Sequence, residues 1–422
     1  MGNSCNTKSS QNGYQVAITG MGIVSSLGCD LKTVSENLYN SKPNIHLDSK
    51  RLELGFRSGL TARLRDFDLK RYGGLSRKVL RAMCEPSRYA YGAAHDAIID
   101  AGLSEKLLCS ERCGIVFGND SCSRAVDESL EILKKYGETH FVGSGSIFKI
   151  MNSTVTMNLS TILGTKGANW TISSACSSGA NAIGQATMLI KSGMQDIVIV
   201  GGAQELSWQS MISFDSLGVF SLHPDPSQAS RPFDKSRVGL VPSGGAACLI
   251  LEELTYAKSR GAKIYGIISG YGFSSDGHGH LSTPSFEGPE RAIRMALNNA
   301  DVSPEQIEYI NAHATSTPVG DRAEAGVINA VFGSKVPVSS TKSITGHECW
   351  MAGASEVLYT TLMAKGAFIA ANKNFNEQED DCEPIHVVKK TIDTKFNLAI
   401  SNSFGFGGTN AAVVLDYSNC QL

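Results

Sequence analysis

Short, almost continuous apolar runs alternate with stretches of helical periodicity along this chain of 422 residues. The apolar runs predict buried strands over 15–24, 114–118, 196–203, 241–253, 263–271, 307–311, 336–340 and 409–416. Apolar positions at helical spacing predict helices over 31–39, 76–103, 127–136, 179–192, 287–300 and 353–365. Strands of this kind, alternating with helices, indicate an α/β fold with mostly parallel sheets covered on both faces.

The two halves of the chain end in similar segments. Gly-Gly-Ala-Ala-Cys-Leu-Ile-Leu begins at Gly244, and Gly-Gly-Thr-Asn-Ala-Ala-Val-Val-Leu begins at Gly407. In each segment a glycine hairpin leads into an apolar strand, which indicates a duplicated unit. We therefore predict a polar, disordered leader over 1–13 and two related halves over 14–260 and 261–422.

Composition and charge exclude several classes of function. A net charge of -2 gives no footprint for general nucleic-acid binding. No run of 18 or more apolar residues is present, so no membrane span is predicted. The eleven cysteines are odd in number and scattered, without the spacing of a disulfide framework or a zinc site. We expect a protein of a reducing compartment, the cytoplasm.

Cys176 is the first candidate for chemistry. A β-type run over 170–172 leads into small residues, and an Ala-rich helical segment begins at Gly179. This pattern predicts that Cys176 lies on the turn where a buried helix begins. The free amides at a helix start favour a thiolate, so we expect a lowered pKa and a nucleophile near neutral pH. The alternative is a small buried cysteine with no chemical role.

Two histidines occur in comparable positions. His313 follows the predicted strand 307–311, and His347 follows 336–340 at the start of an Ala/Gly-rich helix. A single histidine of this kind is commonly structural. Ligand sites of α/β proteins gather at the carboxyl ends of strands, so two histidines and a cysteine at such ends indicate an active site.

One sulfur and two imidazoles admit two chemical schemes. In a Cys-His hydrolase, one imidazole is the base and an acidic or amide side chain orients it. In an acyl-transfer enzyme, the thiolate attacks one thioester, and neutral imidazoles donate hydrogen bonds to the carbonyl of a second acyl group as it becomes an enolate. Lys342, five residues before His347, suits the second scheme because a fixed cation steadies negative charge.

A glycine-rich turn supplies the third element of the candidate site. Gly405, Phe406 and Gly407 belong to Ser-Asn-Ser-Phe-Gly-Phe-Gly-Gly-Thr-Asn, which begins at Ser401. Such a turn can bring backbone N–H groups close to a reacting oxygen, while Phe406 can act as a gate. A plain glycine hairpin is the alternative.

Two further signals are weaker. Arg77, Lys78 and Arg81 can share one helix face, which is either a solvated surface or a landing site for an acidic partner. His278 and His280 flank a glycine, but two ligands without a recognisable third favour an ordinary loop over a metal site.

Four motifs together resemble the β-ketoacyl-[acyl-carrier-protein] synthases of the type I/II group. These are Ser-Ser-Ala-Cys-Ser-Ser-Gly-Ala around Cys176, His-Ala-Thr-Ser-Thr-Pro-Val-Gly-Asp from His313, Thr-Lys-Ser-Ile-Thr-Gly-His up to His347, and Asn-Ser-Phe-Gly-Phe-Gly-Gly-Thr-Asn from Asn402. Their order and spacing agree with the family, and the resemblance runs from about Val16 to Leu415.

The resemblance implies a thiolase-like fold with five layers, αβαβα, in two pseudo-repeated halves. The first half would carry Cys176, which takes the acyl chain, and the second the histidine pair that binds the malonyl thioester and assists decarboxylation. Lys342 would support that pair, and Glu356 matches the glutamate of its network. Asp321 would be a second supporting residue. Backbone amides of Cys176 and Phe406 would form the oxyanion hole, within the turn of Gly405 and Gly407.

The same resemblance implies partners. Thr315 and Thr317 match positions that contact a phosphopantetheine arm, and Arg77, Lys78 and Arg81 match the face that docks acidic acyl carrier protein. The arm arrives on the carrier with the acyl and malonyl thioesters, so no other cofactor and no metal are implied. A homodimer is expected, with a heterodimer as the alternative.

The sequence departs from the family after His347. The family usually has small residues there, whereas this chain has Glu348-Cys349-Trp350-Met351. Residues 118–123 likewise replace a glycine-rich stretch near the acyl pocket. We expect decarboxylative condensation in fatty-acid elongation. The alternatives are a ketosynthase of a polyene or polyketide pathway, a non-catalytic chain-length partner, and a Cys-His thioester hydrolase.

Overall fold

The computed structural model describes residues 14–277 and 279–420, so the predicted leader over 1–13 lies outside the described residues. Its strands are β1 Val16–Val24, β2 Ile45–Leu47, β3 Leu60–Ala62, β4 Cys113–Gly118, β5 Asn169–Ile172, β6 Ile197–Gln204, β7 Gly245–Glu253, β8 Gly266–Ser275, β9 Tyr309–Asn311, β10 Pro337–Ser339, β11 Phe368–Ile369, β12 His386–Val387, β13 Ile392–Asp393, β14 Leu398–Gly405 and β15 Thr409–Asp416. Its α-helices are α1 Leu31–Tyr39, α2 Ser49–Glu53, α3 Arg77–Ala82, α4 Glu85–Asp100, α5 Glu105–Leu108, α6 Ser123–Tyr136, α7 Ser146–Ile150, α8 Thr154–Leu163, α9 Ser178–Lys191, α10 Ile212–Leu217, α11 Leu254–Ser259, α12 Glu287–Ala300, α13 Pro318–Phe332, α14 Lys342–Thr345 and α15 Ala352–Gly366.

One large sheet of 11 strands organises the molecule, in the order β12-β10-β9-β14-β15-β8-β1-β7-β6-β4-β5. Neighbouring strands are parallel at the two ends of the sheet and antiparallel from β6 through to β14. The prediction of mostly parallel sheets is therefore wrong for the middle. The glycine turn between β14 and β15 shows the reason, because a turn this short joins antiparallel strands only.

The strand pattern repeats on the two sides of the sheet. From the outside inward, each side has two parallel pairings followed by two antiparallel pairings. The two series are β5-β4-β6-β7-β1 and β10-β9-β14-β15-β8. The two series meet where Ala17 pairs with Ile267 and Ile18 with Gly266. The molecule is thus built from two halves of equal topology.

Helices cover the sheet halves in layers. Helices α4 and α8 pack on the outer face of the first half, and α12, with α13 beside it, packs on the outer face of the second. Helices α9 and α15 lie between the halves, contacting β6 and β14 as well as each other. This gives the expected five-layered αβαβα arrangement, which the Ala/Gly-rich sequence of α9 allows because small side chains fit between two sheets.

The two central helices approach each other very closely near their first residues. A Cβ atom on Gly353 would lie 2.4 Å from the backbone nitrogen of Ala180, and one on Gly179 would lie 2.7 Å from that of Ala354. Only glycine fits at both positions. This crossing places the turn before α9, which carries Cys176, next to the turn Cys349–Met351 before α15, and His347 lies two residues ahead of that second turn.

Other elements differ from the predictions in ways that the local sequence explains. The helix predicted over 76–103 is two helices, α3 and α4, because Pro86 is tolerated only in the first turn of a helix and forces a new start. Strand β14 and helix α13 were not predicted, since their residues were interpreted only as motifs around the site. Among the described residues, no helix is both long and apolar enough to cross a bilayer.

We predict that Gly353→Ala weakens the fold. The added methyl group would overlap the backbone of α9, which cannot move independently of the sheets, so the free energy of unfolding should fall by about 1–3 kcal/mol. Urea denaturation measures this change.

The matched control is Gly326→Ala in α13. The three atoms nearest to its new methyl group all belong to the ring of Phe286, which is 44% exposed and can therefore give way more easily than a buried backbone. Equal losses of stability in the two variants would contradict a special role for the α9–α15 crossing.

Candidate active site

A rigid turn holds Cys176 at the start of α9. The residue lies in a short 3-10 turn, Ala175–Ser177, and Ala175 has a positive φ of 50°. Asp120 accepts the Ala175 N–H at 3.0 Å, while the hydroxyls of Ser177 and Thr409 donate to the Ser174 carbonyl at 2.7 and 2.8 Å. This unusual backbone conformation persists because its surroundings fix it, as is common at functional sites.

The structure brings both predicted histidines to this thiol. The Nε2 atom of His347 lies 3.1 Å from the Cys176 sulfur. The rings of His313 and His347 are nearly perpendicular, with centroids 5.4 Å apart. One ligand atom from each of the three side chains lies within 4.8 Å of the others, so one carbonyl group placed between them can reach all three.

Two buried carboxylates shape the loop that carries His313. Asp321 accepts the N–H groups of Thr315, Ser316 and Thr317 at 3.0 to 3.2 Å, and so supports the loop. Glu324, one helical turn further along α13, accepts the N–H of His313 at 2.9 Å. Glu324 was not among the residues predicted from the sequence. The signal available in the sequence was a pair of acidic residues three positions apart, following a proline.

Lys342 is the buried cation of the site. It is 2% exposed and forms an ion pair with Glu356, as the resemblance implied. A second carboxylate, Glu348, accepts hydrogen bonds from the hydroxyls of Ser355 at 2.5 Å and Tyr359 at 2.8 Å. Burial raises the pKa of both glutamates to about 7. The Glu348 network fixes the turn after His347 to α15.

Burial also sets the charge of the reacting groups. Desolvation and, secondarily, the Lys342 charge hold the pKa values of His313 and His347 well below their usual range, so both imidazoles are neutral at pH 7. Burial raises the pKa of the Cys176 thiol to about 12, and Lys342 and the Phe406 amide only partly oppose this. The expectation of a thiolate near neutral pH is therefore wrong, because desolvation outweighs the helix start. His347 is placed to accept the proton.

The glycine turn lies directly against the thiol. The backbone N–H groups of Phe406 and Cys176 both stabilise the charged form of the Cys176 sulfur. A Cβ atom on Gly405 would lie 3.1 Å from the Cys176 nitrogen, so glycine allows the approach. Gly407 does not join the donors, since its N–H donates to the Leu281 carbonyl at 2.7 Å. Its positive φ of 79° makes the turn instead.

A cavity of about 400 Å³ leads from the surface to Cys176. Its wall contains His313, His347 and Phe406, together with Thr315 and Thr317, whose hydroxyl oxygens are 3.1 Å apart. Apolar side chains line much of the remaining wall, as is typical of a small-molecule site. A thioester carried on a narrow polar arm can reach the sulfur by this route.

The predicted docking residues lie apart from the cavity lining. Arg77, Lys78 and Arg81 are all exposed on α3, and none forms an ion pair within the described part of the chain. His278 lies outside the described residues, while His280 is exposed with its Nδ1 atom 3.0 Å from the Ser282 hydroxyl.

Models of two protein domains match this chain. The model described as beta-ketoacyl synthase, N-terminal domain, covers residues 14–257, and the C-terminal domain model covers 265–376. The chain belongs to the beta-ketoacyl synthase family.

Individual relatives extend nearly the full length of this beta-ketoacyl synthase family member. The 3-oxoacyl-[acyl-carrier-protein] synthase 1 of Haemophilus influenzae is 39% identical, with 96% of this chain and 99% of that protein covered. A solved beta-ketoacyl synthase from Burkholderia phymatum superimposes with a TM-score of 0.91 at 34% identity, with 96% and 99% of the two chains covered. A type II polyketide ketosynthase, solved with its acyl-carrier protein and a hexaketide, gives 0.87 at 26% identity, with the same coverage.

We predict that alkylation of Cys176 does not level off near neutral pH. The thiolate is the reacting form, so the rate with iodoacetamide should rise about tenfold per pH unit from about pH 7 to about pH 9. Peptide mass spectrometry follows Cys176 separately from the other cysteines.

His347→Ala should slow this alkylation throughout the range, because the thiol loses its proton acceptor at 3.1 Å. His386→Ala is the control, since His386 is exposed on the edge strand β12. A plateau near neutral pH in the wild-type chain would show that the resting group is a thiolate.

Proposed function

We propose that this chain joins an acyl group on Cys176 to malonyl-acyl carrier protein, releasing CO2 and 3-oxoacyl-acyl carrier protein. The observation that carries the proposal is the position of two neutral imidazoles and two backbone amides around one buried thiol at the end of a cavity. A Cys-His hydrolase needs a charged pair of one cysteine and one histidine, together with an acidic residue that orients the imidazole. The buried cation Lys342 and its paired Glu356 suit an enolate better.

The first half-reaction loads the enzyme. The Cys176 sulfur bonds to the acyl carbon, while its proton passes towards His347 at 3.1 Å. The amides of Cys176 and Phe406 donate to the carbonyl oxygen as it gains negative charge. The thioester C–S bond then breaks, and the carrier leaves as its thiol with the proton.

The second half-reaction forms the new carbon bond. The malonyl thioester carbonyl lies between the two imidazoles, and both donate hydrogen bonds to its oxygen. The carboxylate leaves as CO2, and the electron pair of the broken carbon–carbon bond forms the enolate. The enolate carbon attacks the acyl carbon on Cys176, the bond between that carbon and the sulfur breaks, and the sulfur leaves with its electron pair and takes up one proton from solvent. Neutral imidazoles suit this step because they donate without carrying a charge that burial disfavours.

We propose that the cavity takes up the phosphopantetheine arm. The hydroxyls of Thr315 and Thr317 lie on its wall and can bind the amides of such an arm. The arm arrives on the carrier, and this chain's side chains and amides carry out both half-reactions, so we propose no further cofactor and no metal ion. A cysteine stays reduced in a reducing compartment, so we propose that the protein is located in the cytoplasm.

We also propose a homodimer. In the described part of the chain, strand β5 ends the large sheet and pairs with β4 alone, so its outer edge can pair with a second copy. Its Trp170 is 46% exposed, and a large exposed aromatic side chain on an open sheet edge is typical of an association surface. Sedimentation of the pure chain distinguishes this dimer from a monomer that awaits a different partner chain.

A ketosynthase of a polyene or polyketide pathway is the second candidate. The rings of Phe214, Phe220, Trp350 and Phe406 lie close to Cys176, and aromatic faces favour flat, conjugated acyl chains. Competition between saturated and polyunsaturated acyl carriers separates this candidate from fatty-acid elongation. A non-catalytic chain-length partner would normally lack the nucleophile, which is present here.

We predict that Cys176→Ala lowers condensation by at least ~1,000-fold because the nucleophile is lost. His313→Ala should lower CO2 release from malonyl-carrier protein by about 100-fold, since one enolate donor is removed. It should lower acylation of Cys176 less than about tenfold, because His347 still accepts the thiol proton. Labelled CO2 and intact mass measure the two half-reactions.

Cys109→Ala and His386→Ala are the matched controls, being half-buried and exposed residues outside the cavity lining. Condensation by Cys176→Ala at the wild-type rate would overturn the proposal. Free acid released from acyl thioesters without CO2 would indicate the hydrolase instead.

We predict that reversing the charges of Arg77, Lys78 and Arg81 to glutamate weakens the use of acyl carrier protein. The value of kcat/KM with the carrier should fall about 10- to 100-fold, because complementary charge steers association. Activity with acyl-pantetheine thioesters should stay unchanged, since these residues do not line the cavity.

The matched control reverses three other exposed lysines, Lys389, Lys390 and Lys395, near the opposite edge of the sheet. Equal losses in both triple variants would mean that total charge, and not a docking surface on α3, controls the reaction.

A further inference from the structure

A bulky aromatic residue fills space beside the reactive thiol. Trp350 lies in the 3-10 turn between His347 and α15, and is 8% exposed. It belongs to one apolar cluster with Cys176, Met211, Phe220, Leu240 and Cys349. The side chain therefore packs in the same buried volume as the sulfur that carries the acyl group.

Two contacts fix the position of Trp350. Its ring lies 6.1 Å from that of Phe214, and its indole N–H donates to the Ser121 hydroxyl at 3.3 Å. Ser121 directly follows Asp120, which accepts the N–H of Ala175. The indole is thus held between α10 and the segment that supports the Cys176 turn, so it cannot turn away without breaking both contacts.

The open cavity reaches Cys176 past His313, Thr315 and Phe406, and it also touches the edge of this cluster at Phe214 and Leu240. Trp350 itself is not among the lining residues in the described part of the chain, so it lies behind that edge. During condensation the malonyl thioester occupies the histidine side of the sulfur. We infer that the acyl chain on Cys176 extends away from the histidines, past Phe214 and Leu240 and towards Trp350. Protein interiors are close-packed, so a side chain of this size leaves little room there.

We propose that Trp350 is a specificity-determining residue that narrows the acyl pocket and excludes long saturated acyl chains from Cys176. This inference rests on the proposed function, because it concerns the acyl group that Cys176 accepts. The preferred substrate class is a short acyl thioester.

Acyl-pantetheine thioesters of acetate, butanoate, hexanoate and decanoate test the pocket without carrier docking. In each, the Cys176 sulfur bonds to the acyl carbon, the thioester C–S bond breaks, and pantetheine leaves as a thiol with the Cys176 proton. Nothing is oxidised or reduced. Intact-mass spectrometry of the full chain measures the fraction of protein that carries each acyl group.

We predict that the wild-type chain loads butanoyl at least ~10-fold faster than decanoyl, a ratio that a tight apolar pocket supports. Trp350→Ala should bring the decanoyl rate to within about twofold of the butanoyl rate, because it opens space beside the sulfur. Trp350→Leu should give an intermediate ratio, and it also serves if the larger truncation does not fold.

Trp208→Ala is the matched control. This indole borders a surface groove with Val126 and Leu130, so its loss should leave the chain-length ratio unchanged. Equal loading of decanoyl and butanoyl by the wild-type chain would overturn the inference, while acylation of Cys176 would still support the proposed function. A folded Trp350 variant with the wild-type ratio would also overturn it. Failure to load any acyl group would overturn the proposed function itself.

Discussion

The close contact between helices α9 and α15 is the constraint on which the site depends. Gly179 and Gly353 let the two backbones approach where a single methyl group would overlap. Each helix starts at this contact, with Cys176 in the turn before α9 and His347 two residues ahead of the turn before α15. The 3.1 Å separation of His347 and Cys176 follows from this packing, since the two residues are 171 positions apart in the chain.

Burial at this contact explains the electrostatics of the site. Lys342 is the cation whose charge reaches both histidines and the thiol, and its charge is balanced by Glu356. Removal from water keeps the imidazoles neutral and the thiol protonated, so the reacting groups carry no charge in the resting site. Negative charge appears only as the reaction proceeds, and fixed donors then stabilise it more strongly than water-exposed groups could.

Much of the site was predictable because its residues sit in short motifs at the ends of elements. Cys176, His313, Lys342 and His347 were identified in this way, and the structure brings them together. Glu324 escaped notice because its role is a hydrogen bond to the backbone of a residue 11 positions away. The protonated state of Cys176 was also mispredicted. A helix start is visible in sequence, whereas the depth of burial that outweighs it is not.

The alternation of strands and helices and the duplicated glycine-led strands can be read from local periodicity, and the reacting groups from short motifs at the ends of elements. The antiparallel middle of the sheet, the distances between the reacting atoms and the packing of Trp350 in the cluster around Cys176 become visible only in the folded chain. Those properties depend on contacts between residues far apart in the chain, such as the pairing of Ala17 with Ile267. The packing of the two halves sets these properties, because no local sequence pattern specifies them.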